Sequence, residues 1–125
     1  MTGWLTPRGE YIEADDYEHH VALLGTALRD KIKPFFDRAE RAKEACKRLQ
    51  REQCATHAEW HTYEIASDDA SFQARRIALD AGWIRVGLST DGAHFELKNP
   101  TQERMQLCKD AAEDHGYTAI FEVVK

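Results

Sequence analysis

The sequence predicts an α+β fold: one antiparallel sheet of four to six strands, with helices on one face and one long charged helix. Three observations carry this reading. The stretch from Ala81 to Asn99 alternates as a β-hairpin. The stretch from Pro34 to about Trp60 carries a thin apolar seam at helical spacing. Strand-like and helix-like segments follow one another as ββ, α, long α, β, α, ββ, α, β, with no linker between them. At 125 residues the chain fits a single domain, residues 1–125, with one core.

The elements are justified in order. Trp4, Leu5 and Thr6, a Pro7-Arg8-Gly9 turn, and Tyr11 and Ile12 on the return predict an opening hairpin. Asp15 or Asp16 then caps a helix with Val21, Leu24, Ala27 and Leu28 as its apolar stripe, ending between Arg29 and Lys33. Pro34 disfavours helical geometry at Lys33 and suits a first turn, so the long helix is expected to begin there. Phe35, Ala39, Ala42, Cys46, Leu49 and Gln53 recur by four and three along it, and Trp60 would continue the seam. Charges of both signs occupy the rest, among them Asp37 with Arg41 and Glu44 with Arg48 at i,i+4.

Residues 61–66 alternate weakly, with Tyr63 and Ile65 on one side, and read either as a short strand or as a frayed helix end; the strand is preferred. Ser67 or Asp68 caps a third helix through Leu79, with Phe72, Ala74, Ile77, Ala78 and Ala81 as buried candidates and Gly82 as the stop. Ile84, Val86 and Leu88 alternate with Arg85, Gly87 and Ser89; a Thr90-Asp91-Gly92 turn leads to Ala93, Phe95 and Leu97. Thr101, with Pro100 beside it, starts a fourth helix bearing Met105, Cys108, Ala111 and Ala112, which Gly116 ends. Residues 117–124 are apolar on both faces, the signature of an inner strand, which should lie beside the central hairpin.

Composition narrows the function classes. An apolar share of 42% and a charged share of 31% are those of a soluble globular protein. No apolar run approaches the roughly 20 residues of a membrane span. The first residues lack the basic and apolar regions of a secretory signal, so a cytoplasmic setting is expected, with the three cysteines reduced. The net charge of −5 divides into −4 over residues 1–28, +4 over residues 29–52 and −5 over residues 53–125. An acidic body repels polyanions, and acids interrupt the bases of the long helix all round, which argues against nucleic acid as a partner.

Two constellations carry chemistry. Cys54, His57 and His61 would share one face of a continuing helix, a three-ligand arrangement suited to zinc or nickel; Glu59 does not directly follow the first His, so the hydrolytic zinc pattern is missing. His19 and His20, beside Tyr17 and Glu18, are candidates for acid–base work, although no serine or cysteine has a recognisable nucleophile signature. Residues 89–92 read as a turn. No catalytic set or cofactor requirement emerges, and Trp4 and Trp83 read as core.

The opening GWLTPRGEYIE and YEHH, together with AGWIRV about sixty residues on, resemble small uncharacterised proteins of bacteriophages and other mobile elements. The residues carrying the resemblance are Gly3, Trp4, Pro7, Gly9, Tyr11, one of His19 or His20, Gly82, Trp83, Ile84, Arg85 and Val86. The resemblance implies a genomic setting, hence the cytoplasm of a bacterial host, and no particular reaction. The function expected is binding of a bacterial host protein, such as a defence or replication component to be inhibited, through the long-helix seam or an acidic surface. A second copy of the chain is the other occupant the seam would suit, and the competing reading is that the stripe lies on the protein's own sheet as an ordinary amphipathic cover. The alternative is a small metal-binding protein or enzyme built on the Cys/His cluster.

Overall fold

The computed structural model describes residues 1–51 and 57–125. In chain order these form β1 (Gly3–Leu5), β2 (Tyr11–Glu13), α1 (Tyr17–Ala27), α2 (Arg29–Arg51), α3 (His57–Asp80), β3 (Ile84–Ser89), β4 (Gly92–Lys98), α4 (Gln102–Asp114) and β5 (Ala119–Val124). The fold is α+β, with four helices and one five-stranded sheet among the described residues. Two compact units make it up: Met1–Leu23 with Ala78–Lys125, and Leu24–Ile77. Among the described residues no helix is long and apolar enough to cross a membrane.

The first unit holds the sheet, in the order β2-β1-β3-β4-β5. Both expected hairpins form, and β1 joins them by pairing antiparallel with β3, Leu5 opposite Ile84 and Gly3 opposite Val86. The sheet is mixed where an antiparallel one was expected, because β5 runs parallel to β4 with Phe95 opposite Phe121. The cause is α4, a helical crossover that returns the chain to the end of the sheet where β4 began. β5 therefore lies beside the central hairpin as expected, yet at the sheet edge and not inside it.

Alternation along the strands sorts the side chains between two faces. Leu5, Ile84, Val86, Ala93, Phe95 and Leu97 form one buried layer with Cys108 and Ala112 of α4. Each large side chain buried there contributes about 1.5–3 kcal/mol. Burial pushes the Cys108 thiol up to about 11, so it behaves as a small apolar residue. The Thr101 side chain accepts from the Arg104 backbone N–H at 3.2 Å and caps α4, as expected. Gly82, at φ +95°, ends α3 while the Trp83 N–H closes on the Ala78 carbonyl at 2.9 Å. The Arg104 guanidinium donates to the Gly82 carbonyl at 3.1 Å and ties that turn to α4.

The second unit is helical and departs most from expectation. Pro34 lies inside α2, whose first turn forms earlier: the N–H groups of Lys31 and Ile32 both reach the Leu28 carbonyl, at 3.1 and 3.2 Å. As the sixth residue of α2, Pro34 withholds the N–H that would have reached the Asp30 carbonyl, and the helix continues through it. Residues 61–66 are helical and not a strand, and no break occurs at Ser67 or Asp68. The Thr62 and Ser71 hydroxyls bond back to the Ala58 and Ser67 carbonyls at 2.9 and 3.0 Å, so neither residue interrupts the helix. Ala66, Ala70, Ala74 and Ala78 recur every fourth residue and are all buried, a period that outweighs the weak two-residue alternation. Ala66 and Ala70 pack on Ala39 of α2, with Phe35, Phe36 and Ala42 alongside. Arg38 of α2 pairs with Asp69 of α3, and the Cys46 thiol donates to the Glu59 carbonyl at 3.0 Å.

Two stability predictions follow from these contacts. Gly92 has φ +148°, and a Cβ there would land on the Thr118 carbonyl oxygen, the acceptor for the Ala93 N–H at the start of the parallel pairing. Gly92→Ala should cost about 2 kcal/mol or more by denaturant titration. Ala39→Glu, which places a carboxylate between two helices, should cost about 3 kcal/mol with the molar mass in solution unchanged.

Candidate functional site

The seam expected to meet a partner is turned onto α3 of its own chain. Ala39 and Cys46 are buried, Phe35, Ala42 and Leu49 are half-buried, and Gln53 lies outside the described residues. The small side chains do permit close helix approach, as their sizes suggest, and the helix that approaches is intramolecular. The charged face of α2 remains outside, where Asp37, Glu40, Arg41, Glu44, Arg48 and Arg51 line a groove of about 530 Å³ with Ala45. Three carboxylates and three guanidinium groups share it, so it presents no surface of one sign.

Of the metal-binding candidates, Cys54 and the His57 side chain lie outside the described residues, and His61 is an exposed residue in the second turn of α3. Among the described residues no group of three His, Cys, Asp or Glu side chains is placed to hold a metal ion.

His19 and His20 part company at the start of α1. The Asp16 carboxylate caps the helix by accepting from the His19 backbone N–H at 2.9 Å, and the exposed His19 ring stays 3.7 Å from it. His20 turns inward, its Nδ1 accepting from the Trp4 indole Nε1–H at 2.9 Å. An indole N–H only donates, so Nδ1 must carry a lone pair and the bound ring is neutral. Trp4 alternates with Leu5 and therefore projects from the sheet face opposite the α4 layer, where it packs edge-on against Trp83 at 6.3 Å. Arg85, directly across from Trp4 in the β1–β3 pair, lies on that same face. Burial first, and then the Arg85 charge, hold the His20 pKa below its ordinary value, against opposing contributions from the Ala14 backbone and Asp16. The residues of the Gly-Trp and Gly-Trp-Ile-Arg-Val pattern thus converge in space, with Pro7 close to Gly82 and Tyr11 bonded to the Thr2 carbonyl at 3.2 Å. They are framework: they join β1 to β3 and fix α1 to the sheet.

An exposed apolar stripe on α3 was missed by sequence reading. Ile65 is 56% exposed and Phe72 is 59% exposed, two turns apart on one face of α3, and Trp60 stands 37% exposed near the helix start beside Tyr63. Phe72 was expected in the core and Ile65 in a strand. Once residues 57–80 are drawn as one helix, the buried alanines and the exposed pair separate onto different sides, because 66, 70 and 74 never share a face with 65 and 72. His61, Ile65, Asp68, Phe72 and Arg76 form a continuous exposed stripe. No protein-family model, curated protein or solved structure matches the chain.

The neutral His20 makes a pH prediction with a definite sign. Its folded-state pKa is depressed, so the unfolded chain takes up a proton that the folded one refuses. The contribution is fully present above the ordinary value of 6.5 and is lost as the pH falls below it. His20→Gln keeps an acceptor for the Trp4 indole and removes the titration. Between about pH 7.5 and pH 5.5 the variant should lose less stability than the native chain in parallel denaturant titrations.

Proposed function

We propose that this is a small protein of a bacteriophage or mobile element that binds a bacterial host protein, and that it does so by inserting the outer face of α3 into an apolar groove on that protein. The observation that carries the reading is the pair Ile65 and Phe72, large apolar side chains exposed on a helix whose opposite side is already packed on α2. They stand about 10 Å apart along the helix axis, the spacing at which helical ligands place their anchors in a groove. Asp68 between them and Arg76 beyond them supply charges of both signs at the rim, where they select a partner more than they add affinity. The acidic body favours partners that are not polyanions. The genomic setting rests on the resemblance of the Gly-Trp segments. Inhibition of a defence or replication component is the consequence such binding would have in a host cell.

The test replaces both anchors. Ile65→Glu with Phe72→Glu should leave thermal stability nearly unchanged, since exposed positions tolerate such changes within about 0.5 kcal/mol each. The same variant should lose at least about tenfold in affinity for a host protein that the native chain captures from bacterial lysate and that mass spectrometry identifies. Equal capture by native and variant chains would remove α3 from the interface. A collapsed melting temperature would return the two residues to the core.

A further inference from the structure

A second set of side chains lies on the sheet. β3 ends at Ser89 and β4 begins at Gly92, so the tight turn between them brings Ser89 Oγ to 2.6 Å from Nε2 of His94. The other ring nitrogen, Nδ1, is 3.0 Å from Glu122 Oε1 on β5. His94 is opposite Ile120 and Glu96 is opposite Glu122, so Glu122 reaches the ring diagonally along the same face. The protons in this chain are assigned by elementary chemistry. A carboxylate only accepts, so Nδ1 carries the hydrogen; the neutral ring then has its lone pair on Nε2, and Ser89 must donate to it. The Asp91 backbone N–H donates to Ser89 Oγ at 3.1 Å, which fixes the rotamer and leaves the hydroxyl hydrogen for His94.

Hydroxyl, imidazole and carboxylate therefore stand in the order, and on the ring nitrogens, that nucleophilic acyl transfer requires. Room for a substrate lies next to them. Gly87 is directly opposite His94 and on the same face, and nothing lies within 4 Å of where its Cβ would be. The sheet face beside His94 is thus open at Gly87.

We propose that Ser89, His94 and Glu122 form an acyl-transfer site that hydrolyses carboxylic esters with small acyl groups, the acyl group lying over Gly87. Ser89 Oγ attacks the acyl carbon while His94 Nε2 takes the hydroxyl proton; the bond from the acyl carbon to the alcohol oxygen breaks, and His94 returns the proton to the departing alkoxide. Water then adds to the acyl-serine with its proton passing through His94, the acid leaves, and Ser89 regains its hydrogen. No oxidant, reductant or metal enters the balance. Ser89 and His94 are the catalytic residues, and Glu122 is a positioning residue that holds the ring in the tautomer that accepts from serine. The site stands open at the surface, which suits acyl groups carried on large alcohols as well as small ones.

The experiment uses p-nitrophenyl acetate as substrate and a fluorophosphonate as covalent probe on the full chain. The native protein should release p-nitrophenolate above background and take up one phosphonate on Ser89, located by peptide mass mapping. Ser89→Ala and His94→Gln should each lose at least about tenfold in turnover and fail to label. Gly87→Val should fold at least as well as the native chain, valine being a good strand residue, yet lose turnover by a similar factor because its side chain covers that open face. Glu122→Gln should lower kcat and leave KM unchanged, whereas general damage to the sheet would move both along with the melting temperature. Turnover in the native chain no higher than in Ser89→Ala, phosphonate on another residue, or undiminished activity in Gly87→Val would each overturn the proposal.

Discussion

Everything in the sheet unit depends on β1 finding β3. Leu5 pairs with Ile84 and Gly3 with Val86, positions separated by roughly eighty residues of chain, and loop closure over such a distance must be offset by contacts made at the junction itself. Those contacts are concentrated. Leu5 buries into the layer that α4 covers, while Trp4, on the opposite face, packs edge-on against Trp83 and donates its indole hydrogen to His20. One three-residue strand thus engages both faces of the sheet, and without it the two hairpins would have no common hydrogen-bond ladder.

The helical unit is held by a different economy of side chains. Alanines on α2 and α3 meet each other, so the two helices are joined by close backbone approach more than by large apolar area, with Phe35 and Phe36 at the margin and the Arg38–Asp69 pair beside them. A seam of small residues cannot serve two partners at once. α3 occupies it, and Ile65 and Phe72, the large apolar residues that remain exposed on α3, lie on a different side of that helix.

Much of the fold was legible because its signals are local. Both hairpins, the Asp16 and Thr101 caps and the glycine stops at Gly82 and Gly116 depend on residues a few positions apart, and each stands where the sequence places it. The parallel direction and edge position of β5 were not legible, since residues apolar on both sides describe an edge strand packed by a helix as well as an inner one. The strand expected at residues 61–66 shows a contest between two periods. Tyr63 and Ile65 favour two, but Ala66, Ala70, Ala74 and Ala78 favour four over a longer stretch, and the longer signal describes the helix. For the surface chemistry, Ser89 and His94 are close in sequence and looked like a turn; Glu122 joins them only through the parallel pairing, which no local pattern encodes. The seam on α2 was legible as an apolar stripe, but the packing of α3 against it was not, because sequence spacing specifies a face and not its occupant.

The order of strands along the chain has a kinetic consequence. β3, β4, α4 and β5 are consecutive, and every pairing among them closes a short segment, so this half can assemble by local search. The β1–β2 hairpin must wait for a long-range encounter, but the intervening chain does not behave as a loose loop of its full length. Once α2 and α3 fold back on each other, the residues they contain no longer sample conformations freely, and the entropy opposing the β1–β3 pairing is smaller than a loose loop of that length would impose. Weakening the α2–α3 packing therefore lengthens the effective loop that the β1–β3 pairing has to close.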